Sequence, residues 1–154
     1  MNLHFVSKKH IDKFLSSNAI AIVGASRNAK SFSAEVSKHL SNEGYDVYSI
    51  NPAYANDKST EKQISSIEQL PENVKSALIL CAPARSEALV QAAIDKGIQN
   101  LWIQQMSETP RSIETALEAG VNLVHNYCIF MFSNPKGVHK FHYNIKKFFG
   151  GIPK

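Results

Sequence analysis

The stretch IAIVGASRNAKSF, residues 20–32, holds the residues of this chain best suited to chemistry. An apolar run breaks on Gly24, and small, hydroxyl-bearing and basic residues follow before a helical pattern begins. Backbone N–H groups at such a turn, together with the positive end of a helix dipole, suit a phosphate. Ser26, Ser31 and Ser33 add hydroxyl donors, and Arg27 and Lys30 add positive charge. Without a ligand, the same residues form a plain strand-to-helix turn with solvated side chains, and one glycine does not separate the two readings. A dinucleotide fingerprint asks for three glycines here and for an acidic residue at the end of the second strand. That second place holds Asn51, followed by Pro52, and Asp46 lies at the opposite end of the strand. Both departures count against NAD. Lys58 leaves NADP a somewhat better case, since it could reach an extra phosphate.

Other reactive side chains are scattered. His125 ends the last apolar strand, where a lone histidine is more often a hydrogen-bonded structural residue than a catalyst. His139 and His142 stand three apart without a carboxylate or thiol beside them, which argues against a metal site. Cys81 and Cys128 form neither a disulfide framework nor a CxxC pair and fit a reducing compartment. A reactive Cys81 needs a lowered pKa, and Arg85 is the nearest charge in sequence that could lower it. No Ser-His-Asp order, carboxylate pair or metal-ligand cluster stands out. The expectation is a binding module, with no catalytic residue and no metal.

These residues need positioning, and the hydrophobic periods show by what. Helical spacing covers 7–17, 31–43 and about 85–96, the last expected to bury Ala88, Leu89, Ala92 and Ala93. A fourth helix opens at Thr109, a capping residue, with Pro110 in its first turn, and stops at Gly120. Apolar strands read at 19–24, YDVYSINP, SALILCAP, NLWIQ and VNLVH, with a brief edge strand near Ile64. Strand and helix alternating in this way predict an α/β fold: a doubly wound, mostly parallel sheet with helices on both faces. In the order 3-2-1-4-5-6 the winding reverses between the first strand and SALILC, and ligands bind at that switch point. The segments there are Gly24, Ala25, Ser26 and Arg27 on one side and Cys81, Ala82 and Pro83 on the other.

With 154 residues, 44% hydrophobic and 19% charged, the chain fits one soluble domain over 1–154. No apolar run has signal-peptide or membrane-span character, so a cytoplasmic location is expected and no membrane partner. A net charge of +4 favours anionic partners weakly. Over about 138–149, Val138, Phe141, Ile145, Phe148 and Phe149 form an apolar stripe with Lys140, Lys146 and Lys147 off it. An amphipathic helix packed on the sheet is expected there, or one used for a homo-oligomer or protein partner. Acidic residues are absent from 121 onward, yet no nucleic-acid recognition motif accompanies that charge.

AIVGASRN, VYSINP, LILCAPA and LWIQ, in this order and spacing, resemble the CoA-binding domain family. These are Rossmann-like domains similar to the N-terminal domain of the succinyl-CoA synthetase alpha subunit, and they also occur as small stand-alone proteins. The resemblance spans about residues 16–128. It implies that Gly24, Ala25, Ser26 and Arg27 cradle the CoA phosphates, with Ser33 at the helix start. It also implies that Asn51 and Pro52 approach the nucleotide end, that Ala82 and Pro83 pack on the adenine or pantetheine arm, and that Gln104 lies at the same rim. Where the family often has a glycine after that glutamine, this chain has Gln105, Met106 and Ser107. The family's ligases use a phosphorylated histidine on a second domain, for which this chain has no matching segment. The expected function is therefore binding of CoA or an acyl-CoA without chemistry of its own. The alternatives are an NAD(P)-binding oxidoreductase or nicotinamide sensor, and an electrostatic nucleic-acid binder.

Overall fold

The computed structural model describes residues 4–134 and residue 153. The amphipathic segment at 138–149, with His139 and His142, lies outside them.

Six strands form one sheet: β1 (Ala19–Val23), β2 (Asp46–Ile50), β3 (Gln63–Ile64), β4 (Ser76–Ile79), β5 (Asn100–Gln104) and β6 (Asn122–Tyr127). Their order is β3-β2-β1-β4-β5-β6 and every pairing is parallel, so the sheet is wholly parallel. Among the described residues four α-helices cover it: α1 (Lys8–Leu15), α2 (Phe32–Asn42), α3 (Pro83–Lys96) and α4 (Pro110–Glu118).

The strand sequences dictate the two layers. Every residue of β1 is buried, and alternate side chains go to opposite faces. Ile20 and Ile22 join Phe14 of α1, Val36 and Leu40 of α2, Leu78 and Trp102 in one core. Ala19, Ala21 and Val23 join Val90 and Ala93 of α3, Ala116 of α4, Ile79 and Ile103 in the other. Both cores need apolar strands, which is why β1, β4 and β5 read as nearly continuous apolar runs.

Helix ends follow local chemistry. Ser31 caps α2 by accepting from the Ala34 amide at 3.2 Å, and Thr109 and Ser112 cap α4 reciprocally. α3 starts at Pro83, two residues earlier than its apolar period suggests, because the ring of Pro83 presets helical φ in the first turn. Its buried residues are Ser86, Val90 and Ala93, while Ala88, expected inside, is exposed. β6 runs on to Tyr127 through Asn126, whose φ of +63° accompanies a register shift against β5. Among the described residues, no helix is long and apolar enough to cross a membrane.

Candidate functional site

Between β1 and β4 the chain winds away in both directions, and two loops meet beyond the carboxyl ends of these strands. One runs from Gly24 to Ser31 into α2, and the other passes from Leu80 through Ala82 into α3. They touch at Gly24. A Cβ there would lie 2.3 Å from the Leu80 carbonyl oxygen and 3.4 Å from Cys81 Cβ, and the glycine has φ of +95°. The close approach that demands glycine is therefore made by the neighbouring strand end.

The amides that were expected to face outward from this turn are partly used inside. Gly24 and Ala25 N–H both donate to the Ile50 carbonyl, at 3.3 and 3.0 Å. The Ser26 amide donates to Ser33 Oγ at 2.8 Å, and Ser33 is only 3% exposed. Ser33 thus ties the loop to the start of α2. The Ser26 hydroxyl accepts from the Asn28 amide at 3.1 Å.

Asn51 clamps the same loop from β2. Its Nδ2 donates to the Ala25 carbonyl at 2.6 Å, and its Oδ1 accepts from Ala53 N–H at 2.8 Å. Pro52 follows in the single turn Pro52–Ala55, which delivers the buried Tyr54. The Tyr54 hydroxyl reaches the Ser26 carbonyl at 3.3 Å, and burial pushes its pKa up. Tyr54 was not singled out from the sequence, although an aromatic residue inside the polar run AYANDK was a usable signal.

Several groups remain at the mouth. Ser26, Arg27 and Lys30 are exposed, as are Ala82 and Pro83. Arg27 pairs with Asp57 at 3.1 Å, with both side chains more than half exposed. Among the described residues, the Phe32 and Ser33 amides in the first turn of α2 have no acceptor, and the Ala84 amide stands likewise in α3. Two helix N-termini thus open at the strand ends flanking the switch point. Beyond β2 lies a cavity of about 260 Å³ lined by Tyr54, Lys58, Glu61, Gln63 and Ser65 among others. Lys58 pairs there with Glu61 at 3.2 Å.

Gln104 does not join the exposed group. It is 5% exposed, and its Oε1 accepts from the Ile129 amide at 3.2 Å. Ser107, noted in the sequence only as part of a departure from the family pattern, is buried and accepts from the Cys81 amide at 3.1 Å, tying the β4 and β5 ends together. Met106 beside it is 79% exposed with φ of +73°. Burial raises the Cys81 pKa against a smaller opposing effect of Arg85, the reverse of what a reactive thiol requires. Among the described residues no group of three or more His, Cys, Asp and Glu could hold a metal ion.

A family model described as a CoA binding domain matches residues 18–134. Solved structures of the same fold are similar across most of the chain. The crystal structure of Prb, a protein redesigned for binding, is 24% identical with a TM-score of 0.72, covering 98% of this chain and 96% of that one. A hypothetical protein from Pyrococcus horikoshii OT3 is 28% identical with a TM-score of 0.72, covering 81% and 87% respectively. A conserved hypothetical protein from Pyrococcus furiosus is 26% identical with a TM-score of 0.66, covering 73% and 96%.

Proposed function

The chain belongs to the CoA-binding domain family, and on that footing we propose that it binds CoA or an acyl-CoA in the crevice between the Gly24–Ser31 loop and the start of α3. The observation that carries this reading is the pair of helix N-termini, α2 and α3, opening beside each other at the switch point of the sheet. Each favours an anionic group by about 0.3–1 kcal/mol where exposed, and the CoA pyrophosphate offers two charges to them. Ser26, Arg27, Ala82 and Pro83 face the ligand in this reading. Gly24, Ala25, Ser33, Asn51 and Pro52 shape the loop that presents them, and Gln104 braces the rim from below.

Nicotinamide dinucleotides fit less well. The side chain of Asn51 is engaged with Ala25 and Ala53 on both its amide groups, so it is not available as a ribose anchor.

Calorimetric titration with CoA, dephospho-CoA and NADH tests the proposal. CoA is expected to bind more tightly than NADH, and native mass spectrometry of the purified protein to retain a CoA-sized mass. NADH binding at least as strongly as CoA overturns the reading.

A further inference from the structure

Three histidines gather where the segment before α1 meets β6, outside the residues assigned to the crevice. His4 Nδ1 lies 3.2 Å from His125 Nε2, with ring centroids 5.4 Å apart. His10 approaches His4 edge-on, with centroids 5.2 Å apart. His125 is 7% exposed, and among the described residues its Nδ1 meets no partner in hydrogen-bonding geometry. Between His4 and α1, Val6 packs against the core that lies under α1 and α2.

One proton sits between the two facing nitrogens. If His125 Nε2 donates it, His125 Nδ1 is a bare acceptor. If His4 Nδ1 donates it, His125 must carry its N–H on the buried Nδ1, where no acceptor lies in good hydrogen-bonding geometry among the described residues and Asn126 has only the smallest of the effects acting on the ring, the rarer arrangement. The first tautomer pair therefore suits the neutral contact. A further proton has no good place. On His125 it falls on the buried Nδ1, and on His4 it sets two donors face to face unless His125 shifts its own proton to that Nδ1.

We propose that His4 and His125 form a proton-sensitive latch, whose hydrogen bond holds residues 4–7 on β6 while both rings are neutral and lets go when the pair takes up a proton. Among the described residues, no carboxylate is hydrogen-bonded to either ring. α1 brings Lys8, Lys9, His10, Asp12 and Lys13, of which Asp12 is paired with Lys8. His10 Nδ1 already accepts from the Ser7 amide at 2.9 Å. β5 has no titratable side chain, and α4 brings Arg111, Glu114 and Glu118, with Arg111 and Glu114 paired at 2.7 Å.

Burial, then the neighbouring His4, lowers the His125 pKa, with the His4 backbone and Asn126 opposing. Burial, then His10, lowers that of His4. Both groups are thus neutral when latched and bind protons more readily once released. Latching is complete above the ordinary histidine range near pH 6.5 and weakens as pH falls from there towards the lowered values. Each proton taken up raises the released-to-latched ratio by up to about tenfold per pH unit in that window.

The test is an NMR titration of the full chain from pH 7.5 to 5.0, following the Val6 methyls and the His4 and His125 ring resonances. The parent's Val6 methyls are expected to move towards their free-chain positions together with the two histidines, while those of Leu123 and Val124 stay put. His4→Gln, at a partly exposed position, is expected to make Val6 indifferent to pH. The latch is overturned by a pH-independent Val6 in the parent. It is equally overturned by the same acid response in His4→Gln, or by Val6 moving only with the core methyls. None of these outcomes depends on whether CoA binds.

Discussion

Gly24→Ala and Gly44→Ala form a matched pair, because both glycines have φ of +95° while only one is crowded. A Cβ at Gly44 meets nothing within 4 Å. Its substitution costs only the left-handed backbone, about 1–2 kcal/mol, offset by about 0.4–1 kcal/mol from the stiffer unfolded chain. At Gly24 the same backbone cost applies, and the new methyl lies 2.3 Å from the Leu80 oxygen. That oxygen cannot retreat cheaply, because the Leu80 amide is bonded to the Val23 carbonyl at 2.9 Å. The loop cannot retreat freely either, since the Gly24 and Ala25 amides hold the Ile50 carbonyl. Overpacking of this kind costs roughly 1–3 kcal/mol. Gly24→Ala should therefore lose about 1–3 kcal/mol more than Gly44→Ala. With a urea slope of about 1–3 kcal/mol per molar, the midpoints should differ by about 1 M. Equal midpoints for the two variants would refute the argument that the Leu80 contact dictates glycine. A larger loss at Gly24 means that a bulky residue there removes the fold along with any ligand, so affinity loss there is no evidence of a phosphate cradle.

Asn51→Ala should cost about 1–3 kcal/mol, the sum of two neutral hydrogen bonds to Ala25 and Ala53, and should weaken CoA binding as the loop loosens. Urea unfolding and calorimetry on one preparation check both effects. Arg27→Ala should leave stability within about 0.5 kcal/mol, because its pair with Asp57 is exposed on both sides. It should lower CoA affinity about ten- to a hundredfold through the loss of one charge-assisted contact. Unchanged affinity would mean that the charge of Arg27 goes to Asp57 alone.

Sheet order and helix placement were legible because they are local and periodic. Continuous apolar runs such as SALI and NLWI are what a strand buried on both faces requires, and their alternation with helical periods allows few topologies. Capping was equally local, as at Thr109 with Pro110. Period alone misplaced Ala88, since one apolar position more or less shifts the inferred face of α3 by about 100°.

The loops were another matter. The sequence by itself determined that Gly24, Asn51 and the Cys81 region stand at the ends of adjacent strands, because strand order follows from the pattern of elements. Only the tertiary structure decided what their groups do. Ala25 is bonded to Asn51 from 26 positions away, Cys81 to Ser107 and Gln104 to Ile129 across similar gaps. Ser33 looked like an exposed donor and is buried under its own loop. His125 found His4 from the far end of the chain. A polar side chain close to a turn meets either water or a backbone group of another strand end. Which of these it meets depends on how the strands register and twist side by side, and no local period records that.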